Sequence, residues 1–210
     1  MKPAVVMVHG LYLHAIYMRL WQNHLRNAGY DVYGFNYASV KGTLSSSARE
    51  LADFVARLDN RQVHCVGHSL GGLLIMQMVQ HFPDSRVKRV VLVGSPFQSA
   101  HVPTTLTRSR AGRFIMGQVM VAWTRQVPLI PPARLEVGVI AGDRPIGLGR
   151  LVAPGIPSPH DGTVAVIETA VPGMADRIIL PVTHTQMLFS RQVMKQIVAF
   201  FRRGKFEHKS

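Results

Sequence analysis

Unbroken apolar runs alternate along the chain with longer stretches in which apolar residues recur every three or four positions. Ala4-Val5-Val6-Met7-Val8 contains no polar residue, the pattern of a parallel strand buried on both faces. It predicts a first strand that ends in His9-Gly10-Leu11. From Ala15 to Ala28, Ile16, Leu20, Trp21 and Leu25 stand at helical spacing, and Gly29 occupies the place of a helix-ending glycine. Asp31 to Asn36 reads as a second strand. Ser45, Ser46 and Ser47 offer caps for a helix that carries Leu51, Phe54, Val55 and Leu58 on one face. Val63, Cys65 and Val66 mark a third strand. Leu73, Leu74, Ile75, Met76, Met78 and Val79 then fill a helix-length segment with no breaker before Pro83. Arg89 to Val93 is a fourth strand, closed by Gly94-Ser95-Pro96.

Beyond it the rhythm is interrupted. Residues 97–132, from Phe97 to Pro132, are polar and basic, with one amphipathic stretch around Phe114 to Trp123 and with Pro128, Pro131 and Pro132 near the end. They read as a lid-like insertion over the sheet edge. Leu135 to Ala141 and Arg177 to Val182 resume as fifth and sixth strands, and Phe189 to Arg202 makes a closing helix. Between those strands, Gly142 to Pro159 is rich in glycine and proline and reads as a long functional loop. The alternation predicts an α/β fold, a mostly parallel sheet of about six strands with helices on both faces and right-handed crossovers. No composition shift divides the 210 residues, so residues 1–210 read as a single domain.

Composition narrows the class. With 47% hydrophobic and 17% charged residues the chain is globular rather than disordered. Met1-Lys2-Pro3 runs directly into the first strand, which leaves no secretory signal visible, and no apolar run approaches a membrane span. The single cysteine, Cys65, sits in a strand expected to be buried and fits a reducing compartment. The expectation is a cytoplasmic protein. The 24 Lys and Arg against 11 Asp and Glu give a net charge of +13, a field that attracts phosphates and anionic lipid. The basic residues scatter in groups such as Arg86, Lys88 and Arg89, or Arg108, Arg110 and Arg113, rather than forming one stripe interleaved with aromatics. Peripheral contact with anionic lipid is therefore the expected electrostatic partner, and no specific nucleic acid partner is expected.

The candidate chemistry centres on Gly67-His68-Ser69-Leu70-Gly71, between a strand and a helix. In this context Gly-x-Ser-x-Gly is a nucleophile elbow, a turn so tight that its flanks tolerate little but glycine. A serine hydroxyl needs a base within hydrogen-bond reach and a carboxylate to orient that base. Of the ten histidines, most are expected at the surface; His184 stands apart because it follows the last strand and precedes the final helix. His160 and His101 lie in loops and His208 in the tail. Two carboxylates compete for the acid: Asp143, directly after the fifth strand, and Asp161, in His160-Asp161-Gly162-Thr163-Val164. Position along the chain does not separate them. His9, His14, His64 and His68 do not form a metal-ligand spacing on one face, because alternation along a strand sends His64 and Cys65 to opposite sides. Neither a metal nor a cofactor is implied.

Val6-Met7-Val8-His9-Gly10-Leu11 together with Gly67-His68-Ser69-Leu70-Gly71-Gly72 resembles the α/β-hydrolase superfamily, particularly its small bacterial serine lipases and esterases. The resemblance spans almost the whole chain. It implies Ser69 as nucleophile, His184 as general base and Asp161 as the acid, since Asp161-Gly162-Thr163-Val164 matches the family's acid loop; Asp143 is the alternative acid. It also implies an oxyanion hole made of the backbone NH groups of Leu11 and Leu70. Tyr12-Leu13-His14 departs from the glycine-rich turn of the closest lipases, which implies a narrower acyl-pocket entrance. The implied activity is cleavage of carboxylic esters, on a small-molecule or lipid ester substrate. A thioesterase or acyltransferase would use the same triad, and a non-catalytic basic protein binding anionic membrane or nucleic acid is the rival of another class. The sequence does not distinguish acyl chain lengths.

Overall fold

The computed structural model describes residues 1–97, 101–106, 108, 110, 130–147 and 155–208. Six strands, β1 (Ala4–Val8), β2 (Asp31–Phe35), β3 (Val63–His68), β4 (Val87–Val93), β5 (Glu136–Gly142) and β6 (Asp176–Leu180), form one sheet in the order β2-β1-β3-β4-β5-β6. Every neighbouring pair is parallel. Among the described residues the α-helices are α1 (Arg19–Asn27), α2 (Leu44–Ala56), α3 (Leu70–His81), α4 (His101–Leu106) and α5 (Arg191–Arg203).

The apolar runs of the strands are continuous because both faces of the sheet are covered. In β1, Ala4, Val6 and Val8 join Leu51, Val55, Leu73 and Leu74 of α2 and α3 in one core. Val5 and Met7 turn the other way, into a second core with Trp21, Leu25, Ile197 and Phe200 of α1 and α5. Polar substitution at any β1 position would therefore bury an unpartnered group in one layer or the other.

The helix forecast over Ala15 to Ala28 begins as a 3-10 turn, Ala15–Met18, before α1 starts at Arg19. That tighter turn resets the phase of the apolar stripe. Met18, Trp21 and Leu25 point inward, whereas Ile16 and Leu20, expected on the buried face, are 60% and 46% exposed. The cap of α2 is Thr43 rather than one of the three serines. Thr43 has the extended backbone a cap requires (φ −121°, ψ 153°), and its hydroxyl accepts from Ser46 N while Ser46 Oγ closes a capping box. Of the insertion, α4 is described; the amphipathic stretch Phe114 to Trp123 lies outside the described residues.

The strand order places the functional end. From β1 the chain passes outward to β2, then returns across the sheet to β3, so the topological switch point lies between β1 and β3. In such sheets ligands bind in the crevice outside the carboxyl ends of the strands at that point. His9-Gly10-Leu11 leaves one side of the crevice and Ser69 the other. The gap between them is closed tightly. A Cβ on Gly71 would sit 2.2 Å from the Val8 carbonyl oxygen, and one on Gly67 would sit 2.4 Å from Gly72 N.

Candidate active site

Ser69 is held with φ 53° and ψ −123°, a conformation L-residues rarely adopt, as the N-cap of α3. Its amide donates to Val93 O (2.9 Å) and its carbonyl accepts from Gly72 N (3.0 Å), so the strain is sustained from both sides. These bonds hold the tight strand-to-helix turn expected from the glycine spacing. Leu70 is the first residue of α3, and its NH has no intrahelical acceptor.

Across the crevice, the turn after β1 is closed by Leu13 N donating to Gly10 O (3.3 Å), with Tyr12 at φ 59° and its ring exposed. His9 locks this turn. Its Nδ1–H donates to Gly10 O (2.9 Å), Nε2 accepts from Tyr37 N (3.4 Å), and the ring stacks on Tyr37 at 4.6 Å between centroids. The Tyr37 hydroxyl in turn donates to His9 O (3.0 Å). Burial pushes the His9 pKa down, which keeps the ring neutral.

His184 and Asp161 meet directly. His184 Nδ1 lies 2.7 Å from Asp161 Oδ2, and His184 N donates to Asp161 O (2.9 Å). Asp161 Oδ1 accepts from Thr163 N (2.9 Å) and Val164 N (2.7 Å), and the residue is 1% exposed. Every oxygen of this buried carboxylate is thus engaged, as burial of a polar group requires. With Nδ1 donating to Asp161, the neutral imidazole carries its lone pair on Nε2. His184 packs against the backbone of β4's end: a Cβ on Gly94 (φ 58°) would sit 3.1 Å from His184 Nδ1. Gly94 adjoins Val93, whose carbonyl holds Ser69, so Ser69, His184 and Asp161 share one rim.

Asp143 does not join them. It is exposed, and its amide donates to Leu180 O (3.2 Å) at the sheet edge. His160 is buried beside Asp161 in sequence, but its Nδ1 accepts from Gly162 N (3.1 Å), which fixes the loop rather than Ser69. His208 is at the far end with Asp176. Six of the ten histidines are partly or fully exposed, as expected of most of them; His9, His64, His68 and His160 are buried. Burial lowers the pKa of His64 to about 4 and that of His68 to about 3.

Two residues escaped the sequence reading. Glu168 is buried, accepts from Ala165 N (2.8 Å) and His101 N, and its carbonyl accepts from Phe97 N (2.7 Å), so it ties Phe97 and His101 to the segment that follows Asp161. Its spacing three residues after Ala165, at a helix start, was the available signal. His68, inside the pentapeptide, places Nε2 3.0 Å from His184 O. Among the described residues no group of three His, Cys, Asp or Glu could hold a metal ion, and no helix is long and apolar enough to cross a membrane.

Comparison with known proteins follows the same lines. The chain is 35% identical over 88 residues to a protein described as a carbamate hydrolase, RutD of Yersinia enterocolitica, a match covering 37% of this chain and 31% of that relative's length. Among solved structures it is similar to a lipase of Bacillus licheniformis (TM-score 0.69, 17% identity, 97% of this chain and 92% of that one). It is also similar to an esterase of Exiguobacterium antarcticum (TM-score 0.65, 15% identity, 96% and 92%). At these identities the two structures speak for the fold. The model of the alpha/beta hydrolase fold family matches residues 3–117, more than half of the chain, and takes in the first turn and the elbow. The chain belongs to the α/β-hydrolase family.

Proposed function

We propose that this protein is a serine hydrolase that cleaves carboxylic esters through an acyl-enzyme on Ser69. The observation that carries the reading is the 2.7 Å contact of His184 Nδ1 with the buried Asp161, on the same rim as a serine held at positive φ. In the first half-reaction Ser69 Oγ attacks the ester carbonyl carbon and its proton passes to His184 Nε2. Asp161 holds the ring in the Nδ1–H tautomer and stabilises the imidazolium. The oxyanion that forms accepts from the NH groups of Leu11 and Leu70, donors that each contribute on the order of 10² to 10³ in rate at such sites. His184 then returns the proton to the leaving alcohol. Water, deprotonated by the same imidazole, attacks the acyl carbon; the bond to Ser69 Oγ breaks, His184 returns the proton to Oγ, and the carboxylic acid leaves.

The test is covalent. A fluorophosphonate should label one residue, Ser69, and Ser69→Ala should abolish both labelling and hydrolysis of p-nitrophenyl esters with the fold intact. Ester hydrolysis within a few-fold of wild type in Ser69→Ala would end the reading. A chain-length series of the same esters then defines the acyl group.

The match to RutD favours one second reading, a carbamate as substrate. The same triad would form a carbamoyl-enzyme on Ser69. Turnover of a p-nitrophenyl carbamate at a rate equal to or above that of the ester would move the substrate class; a single burst without turnover would keep it with esters. Acyl transfer or thioester cleavage by the same triad is read from partition of the acyl-enzyme between water and an added alcohol.

The charge of +13 supports peripheral contact with anionic lipid. Co-sedimentation with anionic vesicles that is strong at low salt and lost at high salt is the expected behaviour, since such attraction is screened over about 8 Å at physiological ionic strength.

A further inference from the structure

We propose that His68, the residue before Ser69, is a positioning residue that sets where His184 stands relative to the nucleophile; this rests on the reading of His184 as general base. His68 Nε2 donates to the His184 carbonyl oxygen at 3.0 Å, and the two rings approach to 4.8 Å between centroids. The other hydrogen bonds that fix His184, from its Nδ1 and its amide, both go to Asp161. They anchor the base to the acid loop but not to the serine. The bond from His68 supplies that missing connection. His68 is joined covalently to Ser69, so one peptide unit and one hydrogen bond span from the strained elbow to the backbone of the base.

The ring of His68 is itself held from several sides. Trp21 meets it edge-on at 6.5 Å, and Trp21 Nε1–H donates to Met187 O (3.2 Å) in the turn that follows His184. A Cβ on Gly10 would sit 3.2 Å from His68 Nδ1, so the ring also lies against the turn after β1. Because Nε2 donates to a carbonyl, Nδ1 carries the lone pair; it is buried and has no hydrogen-bond partner among the described residues. A proton there would find no acceptor and would set a positive charge beside His184, against the imidazolium that the reaction must form. A neutral donor of fixed orientation is what the position supplies. A phenylalanine would pack as well and donate nothing, which separates the positioning role from packing.

The experiment compares His68→Phe with His68→Gln, whose amide nitrogen reaches the place of Nε2. For His68→Phe, kcat on a p-nitrophenyl ester should fall about 10²-fold, the loss typical of a misplaced catalytic group, with KM within about twofold. His68→Gln should recover to within about fivefold of wild type. The low-field proton resonance of His184 Nδ1 should persist in wild type and His68→Gln and broaden or vanish in His68→Phe. If His68→Phe does not fold, His68→Asn, too short to reach the carbonyl, replaces it. The proposal is overturned if the donor-less variant keeps kcat within about threefold of wild type, or if His68→Gln is no better than His68→Phe at equal melting temperature. Failure of the serine-hydrolase reading is separate: it shows as activity retained in Ser69→Ala, while the His184 resonance still reports whether His68 holds the ring.

Discussion

His184 is bound to Asp161 twice, once through its ring (2.7 Å) and once through its amide (2.9 Å), so the carboxylate fixes both the side chain and the backbone of the same residue. Asp161→Asn leaves the amide bond and removes the charged acceptor of Nδ1–H. The expected result is a fall in kcat of roughly 10⁴ from the wrong tautomer, with protein that melts near wild type. Asp143→Asn, at an exposed position, should stay within about tenfold. Steady-state kinetics of the two variants side by side decide between the acids; the reverse ranking would move the acid to the end of β5.

Acid should unfold this protein early. His9, His64 and His68 are buried with pKa values below the ordinary 6.5, His64 at about 4 and His68 at about 3. The unfolded chain therefore binds more protons than the native one at pH below 6.5. The stability these groups contribute is fully present above pH 6.5 and is lost as pH falls toward 4 and then 3, at about 1.4 kcal/mol per pH unit for each proton taken up. Urea titrations at pH 7 and pH 4.5 should show the midpoint dropping. His64→Phe, next to the Phe201 ring on which His64 stacks at 4.9 Å, should flatten that dependence. An unchanged pH slope in the variant would remove His64 from the account.

Gly71→Ala should be among the most damaging single-atom changes in the chain. Its new methyl would meet Val8 O at 2.2 Å and His9 O at 2.6 Å, backbone atoms of a central strand that cannot move aside. A loss on the order of 3 kcal/mol, seen as a lower melting temperature together with lower activity, is expected. Gly173→Ala, where nothing lies within 4 Å but φ is 72°, should lose much less.

Glu168→Leu should loosen the start of the insertion. Its two oxygens accept from Ala165 N and His101 N, and the loss of each of these hydrogen bonds is expected to cost about 1–3 kcal/mol. Hydrogen exchange at those amides is the direct measurement. Protection equal to wild type at both would show that the carboxylate does not anchor them.

The sheet was readable from sequence because burial on both faces erases polar residues from β1 and from the Val90 to Val93 part of β4, leaving the continuous apolar runs of buried parallel strands. Ser69 and His184 could be singled out for another reason: a strained turn demands glycines on both sides of Ser69, and the strand order sends His184 to the same edge. Asp143 and Asp161 could not be ranked by position alone, since what separates them is a hydrogen bond across the chain to His184. Ile16 and Leu20 misled because one 3-10 turn shifted the helical phase. The buried histidines were hidden for a physical reason as well. A neutral imidazole is accepted inside when a ring or a carbonyl receives it, and Phe201, Tyr37 and the His184 carbonyl are brought there by tertiary folding alone.

The indole of Trp21 gives the molecule an optical gauge of its own. Trp21 is fully buried, its NH ends on the Met187 carbonyl just past His184, and its edge faces His68. Indole emission responds to the loss of such a hydrogen bond and to a protonated imidazole nearby. Movement of the turn after His184, or a proton arriving on His68, would therefore change emitted light with no label attached. A protein carrying Phe in place of Trp123 would leave that signal to Trp21 alone, and occupancy of the crevice could be followed in real time by colour and intensity.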